Sequence, residues 1–208
     1  MISETKIIET RDKTKLHCEM IENGSPVWII VTHGLGEHCR RHSHFFKMFS
    51  QHFSVCLYDL RGHGDSEGER ANVEYFDKYV DDLEDVIQFL KDTYDMKRHI
   101  VFGHSMGGGG AIQCALKNKN YYKSVSAFSP ICSLHKSDFA QQAIENYFNN
   151  DESIINYYDP IYLIREIKHL FDNILIDVGL DDEFLKDLFN FSKFIFARQN
   201  NSLNISTV

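Results

Sequence analysis

The chain has 208 residues, 43% of them hydrophobic and 25% charged, with a formal net charge of −8. Such a length and composition fit one folded domain with a sizeable core. The acidic balance, with no basic cluster, argues against nucleic acid or an anionic membrane surface as the main partner. No apolar run reaches transmembrane length, and the polar start, residues 1–15, carries no apolar signal segment.

The five cysteines, Cys18, Cys39, Cys56, Cys114 and Cys132, are scattered, and no pair has metal-ligand spacing. They are expected to be reduced thiols in a cytoplasmic protein, with no metal and no cofactor. Residues 200–208 are polar and Asn-rich, which predicts a frayed tail after a single domain spanning 1–198.

In chain order, Leu16–Glu22 has the polar flanks of an edge strand. Val27-Trp28-Ile29-Ile30-Val31 is a continuous apolar run, which predicts a strand buried on both faces. Phe45, Phe46, Met48 and Phe49 predict a helix ending near His52, and Phe53–Tyr58 a second buried strand. Asp59–Gly68 is a loop with three glycines. From Phe76 the period changes: Val80, Leu83, Val86, Ile87 and Leu90 recur at three and four residues, which predicts an amphipathic helix. His99–Phe102, Val125–Phe128 and Ile174–Gly179 read as strands. Helices are expected after Ala111 and over Phe139–Phe148, Ile161–Leu170 and Phe184–Arg198. Strands alternating with helices imply an α/β fold, a mostly parallel sheet with helices on both faces.

Three loops then carry the chemistry, each after the carboxyl end of a predicted strand, where such sheets place their ligands. Gly103-His104-Ser105-Met106-Gly107, between a strand and a helix, is the pattern of the nucleophile elbow of α/β-hydrolases. Its glycines allow a turn so tight that the serine is strained and its hydroxyl stands clear of the sheet. The Met106 N–H, at the helix start, is placed to stabilise a developing oxyanion, and Leu35, after His33-Gly34, would supply the second N–H. Asp181 and Asp182 follow a late strand, where this fold keeps the acid that orients a histidine. His33, His63, His104 and Asp59 are expected to pack and shape loops rather than to react. No histidine follows Asp182.

Two family resemblances meet at the elbow. Residues 27 to about 95 resemble the monoacylglycerol lipase and lysophospholipase family, through His33-Gly34-Leu35-Gly36-Glu37-His38 and Tyr58-Asp59-Leu60-Arg61-Gly62-His63-Gly64-Asp65-Ser66-Glu67-Gly68. From about Ile100 to Phe184 the chain is similar to S-formylglutathione hydrolase (esterase D), through Gly103–Gly108, Ala115–Asn118, Tyr122–Cys132, Ile174–Gly179 and Asp181–Leu185. The esterase resemblance implies Asp182 as the acid. It also implies a catalytic-histidine segment beyond Arg198, where this sequence turns polar, so the expected α/β-hydrolase fold is truncated before its last strand. Such a fold would leave an apolar sheet edge, which favours a homodimer.

The function implied is a serine hydrolase of carboxylic esters or thioesters acting on a small-molecule substrate such as S-formylglutathione. Weak activity is expected because serine without a base is a poor nucleophile. The alternatives are a monoacylglycerol lipase or lysophospholipase, and a catalytically inactive hydrolase-like remnant.

Overall fold

Residues 4–21 form a hairpin, β1 (Glu4–Glu9) running antiparallel to β2 (Lys15–Ile21), with Glu4 opposite Met20 and Glu9 opposite Lys15. The computed structural model describes residues 3–118, 122, 124–135, 141, 144–145, 150–166 and 173–177. They fall into two units, residues 1–102 and 103–208, taken in turn below.

In the first unit, β3 (Val27–Thr32) runs parallel to β4 (Ser54–Tyr58), and β2 pairs antiparallel with the other side of β4. The strand order is therefore β1-β2-β4-β3. The expected edge strand at Leu16–Glu22 is thus an interior strand, and β1 lies outside it. Sequence patterning misses β1 because it buries little: Ile8 is 2% exposed, whereas its neighbour Ile7 is 54% exposed. The buried runs of β3 and β4 follow from coverage of both sheet faces. On one face Ile29, Val31, Val55 and Leu57 pack against Phe45, Phe46 and Phe49 around α1 (His44–Phe49). On the other, Trp28 stacks at 5.1 Å on Tyr94, the last residue of α2 (Asp77–Tyr94).

A charged network fastens the hairpin turn to α2. Arg61 grips the fully buried Asp82 with two bonds, Nε to Oδ2 at 2.7 Å and Nη2 to Oδ1 at 2.6 Å, and reaches Asp12 in the turn at 3.1 Å. The Thr10 hydroxyl and the Lys78 ammonium also bond Asp12, and with Arg61 they hold its carboxyl well below the usual carboxylate range. Burial, aided by the nearby Asp12 and Asp85 charges, raises the Asp82 carboxyl, and the Arg61 guanidinium opposes that without cancelling it.

Strand β5 (Arg98–His104) carries the chain from the first unit into the second. There α3 (Met106–Lys117) packs on β6 (Ser124–Phe128), which runs parallel to β7 (Asn173–Asp177). The helix expected from Ile161 is present as α5 (Pro160–Glu166), and an unexpected short helix, α4 (Glu152–Tyr158), precedes it. The break falls at Asp159, which is extended as a residue before proline prefers. The helix expected over 184–198, most of that over 139–148, and Asp181 and Asp182 lie outside the described residues.

Candidate active site

Ser105 stands between β5 and α3 at φ 55°, ψ −117°, a conformation that L-residues avoid. Tight turns of this kind persist only where the surroundings over-determine them. Here the Ser105 N–H donates to the Phe128 carbonyl at 2.9 Å. The Ser105 carbonyl accepts from the Gly109 N–H at 3.0 Å and from the Ile131 N–H at 3.3 Å. The flanking glycine is a matter of space, since a Cβ on Gly103 would collide with the Gly107 carbonyl. Ser105 occupies the N-cap position of α3, yet its hydroxyl makes no capping bond. An ordinary N-cap serine spends its hydroxyl on a first-turn amide. The Ser105 hydroxyl is not spent that way, and the Met106 N–H is one of the first-turn amides that lack an intrahelical acceptor.

The Leu35 loop is a rigid turn in the first unit. The Gly34 N–H donates to the Glu37 carboxylate at 2.9 Å, and the Glu37 N–H returns to the Gly34 carbonyl at 3.2 Å. Gly36 takes φ 73°, which leaves Leu35 40% exposed at the tip. His33 below it is fully buried. Its Nδ1 donates to the Gly34 carbonyl at 2.7 Å and its Nε2 accepts the Leu60 N–H at 3.0 Å, the neutral tautomer. Burial pushes its pKa down to about 4. With both nitrogens engaged, His33 pins the Leu35 turn to the loop after β4.

Asp59 organises that second loop. Its carboxylate accepts from the Cys39 N–H at 2.6 Å and the Asp65 N–H at 2.9 Å, and its carbonyl accepts the Ser66 hydroxyl at 2.7 Å. A Cβ on Gly64 would strike this carboxylate, so the turn needs glycine at φ 49°. His17, Cys39 and Asp59 bring metal-ligand atom types within 4.8 Å of one another. Their polar atoms are already engaged, and the Arg40 guanidinium lies 3.4 Å from His17 Nε2, where it would repel a metal ion. All five cysteines are free and buried.

Of the residues expected to react, Ser105 and Met106 are adjacent in the second unit, Leu35 belongs to the first, and Asp182 lies outside the described residues. Sequence reasoning passed over Asp159, which is 1% exposed and collects three hydrogen bonds. The Asp159-Pro160 pair was a usable signal, because aspartate before proline is a common helix start.

A strained serine between a strand and a helix, on parallel strands with helices on both faces, defines an α/β-hydrolase. The chain belongs to the serine aminopeptidase (S33) family, Hydrolase_4, whose model matches residues 26–161. It is 45% identical over 102 residues to the S-formylglutathione hydrolase of Bos taurus, covering 48% of this chain and 36% of that protein. With the S-formylglutathione hydrolase of Arabidopsis thaliana it shares 36% identity over 123 residues, 59% of this chain and 43% of the relative. The chain thus spans less than half the length of these curated relatives. Among solved structures it resembles an S-formylglutathione hydrolase from Agrobacterium tumefaciens, with a TM-score of 0.80 and 22% identity, covering 99% of this chain and 85% of the other. An esterase from Pyrococcus furiosus follows at 0.71 and 23%, covering 99% and 81%. At such identities the structural likeness establishes the fold. No helix among the described residues is long and apolar enough to cross a membrane.

Proposed function

We propose that the chain is a serine hydrolase of small acyl esters or thioesters, with S-formylglutathione as the model substrate. The observation that carries the reading is Ser105, held at φ 55° on the elbow with a hydroxyl not spent on capping. Partial identity to S-formylglutathione hydrolases supports the substrate class. Five buried free thiols fit a reducing compartment, the cytoplasm.

In this reading Ser105 Oγ attacks the acyl carbon while its proton passes to a base, which in a complete triad is an imidazole oriented by the acid, here Asp182, and in this chain is water. The carbonyl oxygen becomes the oxyanion and takes the N–H groups of Leu35 and Met106; loss of one such donor typically costs ~10²–10³ in rate. Collapse expels the alcohol or thiol with the transferred proton, and water then cleaves the acyl-serine. No histidine follows Asp182 in this sequence. Removal of the catalytic histidine can cost on the order of 10⁶ in kcat, while the oxyanion hole and binding keep ~10³–10⁴ over water. The 208-residue chain is therefore expected to turn over slowly.

The His33–His38 turn favours a second reading, a monoacylglycerol or lysophospholipid hydrolase with an acyl pocket shaped by Leu35. Hydrolysis of S-formylglutathione, a short-chain phenyl ester and a long-chain monoacylglycerol by the chain and by Ser105→Ala separates the readings. Slow, Ser105-dependent cleavage that prefers the short acyl groups is expected. Preference for the long chain would replace the esterase reading with the lipase one. Equal rates for the chain and Ser105→Ala on every substrate would make it a hydrolase fold without the activity.

A further inference from the structure

The elbow is held from one side by the segment after β6, and that segment has its own anchor. Asp159 Oδ2 accepts the Ser133 hydroxyl at 3.1 Å and the Leu134 N–H at 2.8 Å, while Oδ1 accepts the Tyr162 N–H at 2.9 Å. Beside it the Ile161 N–H donates to the Cys132 carbonyl at 3.2 Å. Three of these bonds stitch residues 132–134 to the start of α5, and the Tyr162 bond caps that helix. Cys132 and Ser133 are buried with Asp159, so no water replaces a lost bond cheaply.

The residues just before, 128–131, are the ones that grip Ser105. They take its N–H at Phe128 and give an N–H to its carbonyl at Ile131. They also lie against the glycines of the elbow helix. A Cβ on Gly108 would come 3.0 Å from the Pro130 Cβ, and one on Gly109 would come 2.7 Å from the Ile131 carbonyl oxygen. The segment is thus fixed at one end by Ser105 and α3, and at the other by Asp159. We infer that Asp159 is a positioning residue for the nucleophile. It holds residues 130–134 where Ile131 can bond the Ser105 carbonyl, and so maintains the strained backbone that exposes the hydroxyl.

Helix capping and bridging can be told apart at this position. Asparagine caps a helix about as well as aspartate, so Asp159→Asn keeps the Tyr162 bond. Its amide NH2 then meets the Leu134 N–H donor to donor, so that bond is lost and the bridge is weakened, while the Ser133 hydroxyl can turn to accept from the NH2. Amide exchange of the 208-residue chain and of Asp159→Asn reads the effect residue by residue. Loss of one to two buried bonds predicts about tenfold faster exchange at Ser105, Gly109 and Ile131. Ile112 to Leu116, further along α3, should stay within about threefold. Unchanged exchange at the three elbow amides would overturn the inference. So would an equal rise throughout the second unit, which a merely structural role predicts. Should Asp159→Asn fail to fold, Ser133→Ala removes one bond only. About threefold faster exchange at Ile131 is expected there, and none would count against the bridge.

The role in catalysis rests on the serine hydrolase reading and has a separate readout. With a fluorophosphonate probe, Asp159→Asn should lower the limiting labelling rate of Ser105 about tenfold and leave the half-saturating probe concentration unchanged. A raised half-saturating concentration at an unchanged limiting rate would contradict positioning. If the unmodified chain takes no label, the hydrolase reading fails while the exchange measurement still decides on Asp159.

Discussion

The Ser105 N–H donates to the Phe128 carbonyl at 2.9 Å, which ties the one strained residue of the elbow to the carboxyl end of β6. A residue in so sparsely populated a region costs about 1–3 kcal/mol, and the surrounding structure must offset it. Ser105→Gly removes that strain, less about 0.5–1 kcal/mol for glycine's extra freedom in the unfolded chain. Urea unfolding should show Ser105→Gly roughly 1 kcal/mol more stable than Ser105→Ala, which keeps a Cβ and the strain. A less stable glycine variant would mean that the conformation is not strained.

Adjacent glycines in α3 should respond in opposite directions. Alanine at Gly109 meets the Ile131 carbonyl at 2.7 Å and forces backbone to shift, at a cost of about 1–3 kcal/mol. At Gly110 a Cβ meets nothing within 4 Å, so Gly110→Ala should gain about 0.5–1 kcal/mol from helix propensity. Thermal unfolding of the two variants checks the sign of each.

The Arg61–Asp82 pair should be costly to break and cheaper to remove. Asp82 is fully buried and Arg61 nearly so, so Asp82→Ala leaves the guanidinium with Asp12 alone and should cost about 3 kcal/mol. The Arg61→Ala, Asp82→Ala double variant should cost clearly less than the sum of the singles. Additive costs in chemical denaturation would show that the two do not act as a pair.

Acid should weaken the first unit through His33. Its folded pKa is near 4, against 6.5 for an ordinary histidine, because burial disfavours the charged ring. Above pH 6.5 the ring is neutral in both states and contributes no slope. Between 6.5 and 4 the unfolded chain binds a proton that the folded chain refuses, so stability falls as pH falls. The loss totals roughly 3 kcal/mol and levels off below pH 4. His99, half-buried with a pKa near 4, acts in the same direction, so the comparison is with His33→Asn. That variant should show a shallower loss over this window; an identical slope would remove His33 from the account.

The sequence was most informative where burial made it so. Val27–Val31 and Phe53–Tyr58 announce interior strands because both sheet faces are covered, and the elbow shows itself because its crowding demands glycine. β1 was hidden because a strand with one deeply buried side chain, Ile8, leaves no apolar pattern. α4 was missed altogether, although Asp159-Pro160 marks where it ends and α5 begins. Asp159 itself could not be found from spacing. Its partners Ser133 and Leu134 lie 26 and 25 residues away, and only the fold brings them to it. The roles of His33 and Asp59 as loop anchors likewise depend on contacts that no local pattern encodes.

Ser105, held at φ 55° between β5 and α3, is the proposed nucleophile. Incubation of the 208-residue chain with a fluorophosphonate probe, followed by peptide mapping, tests it most directly. Slow covalent labelling at Ser105, absent in Ser105→Ala, is expected. Labelling that persists in Ser105→Ala, or a chain that takes no label at all, would contradict it.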